Sequence, residues 1–233
     1  MDAIDANIAE NIKRVRAAIA EAAVKSGRAP GDVALVAASK TKPAASVRLA
    51  IAAGVDAVGE NRVQEMAEKY AQGAYSGAPL HLIGHLQSNK INKVVGVCGL
   101  IESVGSLQLL EQIGKRAAAL GLIQDVLMEV NIGCEPQKTG ILPQEAERTL
   151  EMSSRIAGVR VLGLMSVPPV NDETDTHCNY FDAMHKLFVD MSGKKYDNIS
   201  MRILSMGMSD SYADAIKAGS NMVRIGSAIF GAR

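Results

Sequence analysis

The chain carries no excess charge of either sign, since its 25 Lys and Arg residues are matched by 25 Asp and Glu. It therefore lacks the broad positive field that gathers phosphate backbones or anionic lipid, which sets aside nucleic acid and membrane surfaces as partners. It also lacks an apolar run of the roughly 18 residues that a spanning helix needs. Its first residues, MDAIDANIAENIKRV, are acidic where an export signal opens with basic ones, so a cytoplasmic address is expected. Cysteine is scarce: Cys98, Cys134 and Cys178 lie far apart with no C-x-x-C pair, a pattern that suits neither a disulfide framework nor a zinc site. Reduced thiols follow, with Cys134 in a loop after a strand. Low-complexity tracts and composition breaks are missing too, so one domain over 1–233 is expected.

What is present is a chain able to bury a large core, with 48% hydrophobic and 21% charged residues. Ile4, Ile8, Ile12, Val15 and Ile19 recur at helical spacing and predict an amphipathic N-terminal helix ending near Gly27. Eight short β-rich runs follow, at 33–39, 56–59, 80–86, 100–104, 125–132, 160–167, 201–208 and 222–230. Helical stretches, among them 107–120, 144–157 and 174–191, separate them. The runs are nearly continuous in Val, Ile and Leu, as expected of parallel strands buried on both faces. Eight such β-then-α units without a linker favour a (β/α)8 barrel with an extra N-terminal helix over a doubly wound sheet.

Barrel chemistry sits at the C-terminal ends of the strands. Polar residues just past each apolar run are therefore the shortlist: Lys40, Glu60, Asn61, Gln87, Asn89, Asn131, Ser166, Ser209 and Ser227. Lys40, directly after LVAAS, stands out because an amine kept from bulk water favours its neutral, nucleophilic form. By position alone Lys40 could equally be an ordinary loop cation like Lys42. The segments SMGMSDSY and MVRIGSAIFGAR shift the balance, because loops after strands seven and eight often hold phosphate where glycine lets backbone N–H groups approach. Ser209, Gly226 and Ser227 fit that description, and closure of the barrel brings strand eight beside strand one and Lys40. A lysine beside a phosphate cup, with no G-x-G-x-x-G, points to a small phosphorylated carbonyl compound. A Schiff-base aldolase and a pyridoxal phosphate protein both satisfy this.

Six segments then carry a resemblance: LVAASKTKP, VGENRVQE, HLIGHLQSNK, GLMSVPP, LSMGMSDSYADAI and VRIGSAIFGAR, each at a strand end and in order. Over about residues 4–233 the sequence resembles the YggS-type pyridoxal phosphate homeostasis proteins, which look like the N-terminal barrel of alanine racemase standing alone. The resemblance implies that Lys40 carries pyridoxal 5′-phosphate (PLP) as a Schiff base, that Ser209, Gly226 and Ser227 hold its phosphate, and that Arg224 lies near the pyridine nitrogen. It further implies that Asn61 and Ser166 line the pocket and that Lys138, in CEPQKTG, is a secondary or transit site for the cofactor. A guanidinium accepts no hydrogen bond, so Arg224 disfavours a protonated ring nitrogen and leaves the ring a weak electron sink. An ion pair of Arg224 inside the barrel is compatible with that role.

Two functions are open: a non-catalytic protein that buffers PLP and delivers it to apo-enzymes, and a small amino-acid racemase. Racemisation needs a base on each face of the substrate carbon, and Lys40 serves one face only. In alanine racemase a partner tyrosine and a second, β-rich domain complete the site, whereas this sequence ends three residues after Phe230. Tyr212, Cys134 and His85 are the in-barrel candidates for an opposing base. His81 and His85 share one strand face by period two, but no third ligand has metal-site spacing, so no metal is expected. No exposed apolar stripe is obvious, and a monomer is the default.

Overall fold

The computed structural model describes residues 3–169 and 176–231. Eight parallel strands close into a barrel in sequence order: β1 Ala34–Ala38, β2 Ala57–Glu60, β3 Leu80–Leu82, β4 Leu100–Val104, β5 Gln124–Glu129, β6 Val159–Met165, β7 Ile199–Ser205 and β8 Met222–Ile225. The barrel shuts where β1 pairs with β8, with Val36 opposite Arg224 and Ala37 opposite Ile225. The expected (β/α)8 architecture is therefore the observed one. Helices α1 Ala3–Lys25, α2 Ala44–Ala52, α3 Val63–Ala71, α4 Leu107–Ala119, α5 Ala146–Ser153, α6 Thr176–Ser192, α7 Tyr212–Lys217 and α8 Ser227–Phe230 accompany it. Only a 3₁₀ turn, Ser88–Lys93, connects β3 to β4.

Alternation within each strand divides the apolar residues into two sets. Val36, Ala57, Leu100, Leu127, Leu162 and Met222 pack together inside the barrel. Leu35, Val58, Ile101, Val126, Val161 and Val223 point outward into a larger core shared with the helices. Both faces are dry, which is why the strands read as continuous apolar runs. The extra helix α1 buries Ile8, Ile12, Val15 and Ile19 and packs against α2, α7 and α8. Asn11 Nδ2 donates to Ile229 O at 2.8 Å, tying α1 to α8.

Barrel closure has a local steric demand at Gly163, where the β6–β7 register shifts. Its φ is +152°, and a Cβ there would lie 1.8 Å from Ile203 O. Only glycine lets the two backbones approach so closely.

Some element ends differ from the sequence expectation. The run 222–230 is a strand only to Ile225; Gly226 turns the chain and Phe230 N bonds back to Gly226 O at 2.9 Å, so Ile229 and Phe230 are buried from α8. A short apolar run carries no periodicity able to separate these two states. The run 80–86 stops at Leu82 because the chain must bend past Asn61, with Gly84 so close that a Cβ would sit 2.3 Å from Asn61 O. His81 and His85 therefore do not share a strand face: His81 is buried and His85 is exposed. Of the helix expected over 174–191, residues 174 and 175 fall outside the described residues.

Candidate functional site

The C-terminal strand ends surround a cavity of about 420 Å³. Lys40 reaches it from the β1 loop, Asn61 from the end of β2, Ser209 from the loop after β7, Arg224 from β8, and Gly226 and Ser227 from the turn into α8. Six of the residues singled out from sequence thus line one space. Ser166 and Lys138 do not line it. Ser166 lies beside the lining residue Val167, and its carbonyl accepts from Arg224 Nη2 at 3.0 Å. Lys138 is drawn to Glu135 at 2.5 Å and to Pro168 O at 3.2 Å, at the edge of the barrel mouth. Asn89 is exposed in the 3₁₀ turn and Gln87 is exposed just before it, and Asn131 braces its own loop by donating to Glu135 O at 2.8 Å.

Lys40 is half-buried, and among the described residues none hydrogen-bonds or ion-pairs with its Nζ. The loop that presents it is held rigidly from below. Glu60 Oε1 accepts from Ser39 Oγ at 2.6 Å, Lys69 Nζ at 2.7 Å and Tyr75 OH at 3.0 Å. Lys69 Nζ also donates to Ser39 O at 2.7 Å and pairs with Glu65, whose carboxylate accepts from Thr41 N at 2.5 Å. Thr41 occupies the left-handed region at φ +65°, a strained conformation for a β-branched residue that the Glu65 contact helps to hold. Burial, reinforced by the neighbouring Glu60 charge, pushes the Tyr75 hydroxyl well above its ordinary range, so it stays a donor.

The turn from β8 into α8 directs N–H groups into the cup. Gly226 N and Ala228 N both donate to Ser209 Oγ, at 3.3 and 3.4 Å. These bonds are long, so an anion accepting the same N–H groups would compete with them favourably. A Cβ on Gly226 would lie 3.1 Å from Ala38 O, and its absence lets the turn sit close to β1 and Lys40.

Asn61 Oδ1 at the cavity and Ser166 Oγ behind it, next to the lining residue Val167, are buried side-chain oxygens with no hydrogen-bond partner among the described residues. Orphaned buried polar atoms are rare in folded proteins, and the position of Asn61 Oδ1 at the cavity fits a polar ligand that satisfies it. Together with the lysine, the N–H cup and the Arg224 guanidinium, that oxygen matches a flat, phosphorylated, aldehyde-bearing molecule. Burial lowers the Arg224 pKa, Glu102 and Glu129 oppose the shift, and arginine remains a cation. Among the described residues, no group of three or more His, Cys, Asp or Glu side chains is placed to hold a metal ion.

Sequence reasoning passed over several residues of this region. Asp210, Ile83 and Phe230 line the cavity, and Lys69, Glu102 and Ser205 join the shortlisted Glu60 as buried polar braces beneath it. One signal was available: a charge inside an apolar strand, as in LIESV, is a buried charge that needs partners.

A glycine turn with N–H donors, a lysine and an arginine at the mouth of a (β/α)8 barrel suit a barrel that binds a phosphorylated cofactor. The family model described as alanine racemase, N-terminal domain, matches residues 4–233. The chain belongs to that family and, within it, to the pyridoxal phosphate homeostasis proteins. It is 37% identical over 97% of its length, and 99% of the relative's, to the pyridoxal phosphate homeostasis protein of Aquifex aeolicus. It is 36% identical to that of Escherichia coli K12, over 97% of both chains. Among solved structures, PipY of Synechococcus elongatus PCC7942 with PLP bound superimposes with a TM-score of 0.83 at 31% identity, covering 96% of this chain and 100% of PipY. Alanine racemase from Streptomyces coelicolor A3(2) shares the fold alone, with a TM-score of 0.73 at 18% identity.

Proposed function

We propose that this protein binds PLP through a Schiff base on Lys40 and serves in cytoplasmic PLP homeostasis, holding the cofactor and passing it to apo-enzymes without robust catalytic turnover. The observation that carries the proposal is that one cavity brings together a lysine amine with no partner among the described residues, an N–H-bearing turn and an arginine. When bound, PLP supplies an aldehyde that condenses with a primary amine, with loss of water. Lys40 Nζ is the amine; Ser209, Ser227 and the Gly226 N–H take the phosphate; Arg224 faces the ring nitrogen, held by the Ser166 carbonyl; Asn61 offers the ring its unpaired oxygen.

A carrier role is favoured over a racemase by the surroundings of Lys40. Racemisation needs an opposing base, and none of Tyr212, Cys134 or His85 lines the cavity. Cys134 and His85 are exposed outside it. The whole task is assigned to the barrel acting as one domain and as a monomer, with Lys138, at the barrel edge, as a secondary stop for departing cofactor. Among the described residues no helix is long and apolar enough to cross a membrane.

The decisive experiment is the absorption spectrum of the purified protein, before and after borohydride, for the wild type and Lys40→Ala. The wild type is expected to show a visible band that borohydride fixes as a covalent adduct, and Lys40→Ala to lack it; a band retained in Lys40→Ala refutes the assignment. Loss of α-deuterium from alanine or serine faster than with free PLP would refute the carrier role and leave the racemase.

A further inference from the structure

Below the cavity, the largely apolar interior of the barrel is interrupted by side chains from four strands. His81 on β3, Glu102 on β4, Ser205 on β7 and Arg224 on β8 are all more than nine-tenths buried. They form one chain of contacts. Arg224 Nη1 donates to Ser205 Oγ at 2.6 Å, and Ser205 Oγ donates to Glu102 Oε2 at 2.6 Å. The other carboxylate oxygen, Glu102 Oε1, meets His81 Nδ1 at 2.8 Å. Arg224 Nη2 is fixed separately by Ser166 O at 3.0 Å.

The protons in this chain have one consistent direction. Arginine can only donate, so Ser205 Oγ must accept from it and spend its own proton on Glu102. The carboxylate is then an acceptor at both oxygens, with His81 Nδ1–H as its second donor. Burial would favour the neutral acid, but the His81 hydrogen bond and charge, the Arg224 charge and the Ser205 hydroxyl outweigh it and hold Glu102 below the usual carboxylate range.

The spacing is informative as well. Arg224 Nη1 stands 3.8 Å from Glu102 Oε2, too far for a direct hydrogen bond, because the Ser205 hydroxyl is interposed. A bidentate arginine–carboxylate pair would turn the guanidinium toward β4. Held instead by one bond to Ser205 and one to the carbonyl of Ser166, Arg224 keeps further N–H donors for the cavity it lines. Buried ion pairs contribute little to stability compared with apolar packing, which directs attention to the geometry this one imposes.

We propose that Glu102, acting through Ser205, is the positioning residue that fixes Arg224 as an N–H donor toward the cavity, so that the site selects ligands whose ring nitrogen is an unprotonated acceptor. His81 orients Glu102 in turn. The inference rests on the assignment of the cavity to PLP. A ligand with a proton or alkyl group on that nitrogen meets a buried cation and a donor with nothing to accept it, which penalises it twice.

The test compares binding of PLP and of its N1-methyl derivative, whose ring is permanently cationic, by titration of cofactor-stripped protein. Wild type, Ser205→Ala, Glu102→Gln, Arg224→Met and the Ser205→Ala/Arg224→Met double variant are measured. The wild type should prefer PLP by at least about tenfold, the loss expected when one hydrogen bond from a charged donor cannot form. Without the hydroxyl, Glu102 draws the guanidinium into a direct pair, so Ser205→Ala should lower the preference most of the way to that of Arg224→Met. In the Arg224→Met background, Ser205→Ala should change it no further. Ser205→Ala removes one hydroxyl and keeps the proposal testable should Glu102→Gln fold poorly. A wild-type preference retained in Ser205→Ala, or equal losses in both backgrounds, overturns the proposal while leaving PLP binding intact. Failure of the wild type to bind PLP at all overturns the cofactor assignment itself, and this inference with it.

Discussion

Replacing Lys69 with methionine tests whether the polar brace under Lys40 holds the loop. Lys69 is 6% exposed and its Nζ makes three contacts of 2.7 Å, to Glu60, Glu65 and Ser39 O. Methionine fills the same space but leaves Glu60, which is fully buried, with only the hydroxyls of Ser39 and Tyr75 as donors. Breaking a buried pair by removing one partner costs about 3–5 kcal/mol, because the remaining charge stays uncompensated. For a chain of this length that corresponds to a fall in Tm of roughly 6–20 °C. Glu65 is 21% exposed and can turn to water, so the loss resides in Glu60. Urea unfolding of Lys69→Met, Glu60→Gln and the double variant would separate the terms. The double variant should recover more than half of the Lys69→Met loss, since the stranded charge is gone. Additive losses, or a cost below about 1 kcal/mol for Lys69→Met, would refute the reasoning. Cofactor retention should fall in Lys69→Met as well, because Ser39 O and Thr41 N, the anchors on either side of Lys40, are both held through this network.

Ser166→Ala removes a buried hydroxyl that has no partner among the described residues, so the cofactor-free protein should be unchanged or up to about 1 kcal/mol more stable in urea unfolding; destabilisation would show that the hydroxyl is already satisfied. Ser209→Ala combined with Ser227→Ala should weaken PLP binding by about 1.5–3 kcal/mol for each bond lost to the phosphate, read by equilibrium titration, and unchanged affinity would remove both residues from the cup. Glu102 is held below the usual carboxylate range, so its contribution is complete above about pH 4.3, the unfolded value, and is lost as pH falls through the folded one. Glu102→Gln should accordingly flatten the acid limb of a stability–pH profile, and an unaltered limb would contradict the pairing. Burial, helped by the Glu60 charge, pushes the Cys98 thiol up to about 12, so at pH 8 only about one in ten thousand is thiolate. Exposed Cys134 should react with a thiol reagent at once and Cys98 only on unfolding, which peptide mapping of the labelled protein would show.

Much of the fold was legible because parallel strands buried on both faces announce themselves as short apolar runs between amphipathic stretches. The runs 33–39 and 100–104 contain or coincide with β1 and β4. The run 222–230 was misjudged because Ile229 and Phe230 are equally apolar in a strand or a helix, and the turn at Gly226 depends on packing against α1. The candidate site divides in the same way. Lys40, Asn61, Ser209, Gly226 and Ser227 were legible because residues at strand ends converge once a barrel is assumed, whereas Arg224, inside β8, came from the family resemblance alone. Ser166 was chosen by the same rule, yet only its neighbour Val167 lines the cavity.

The sequence by itself determined the period of the elements, the number of strands and which polar side chains follow them, since these depend on neighbours a few positions apart. Tertiary structure alone decided what those side chains meet. Glu102 and Ser205 are separated by 103 positions, and no local pattern links them; closure of the barrel places them 2.6 Å apart. Inside a closed barrel a charge has only the other strands to turn to, so the partners of Glu60, Glu102 and Arg224 are set by strand register rather than by sequence distance.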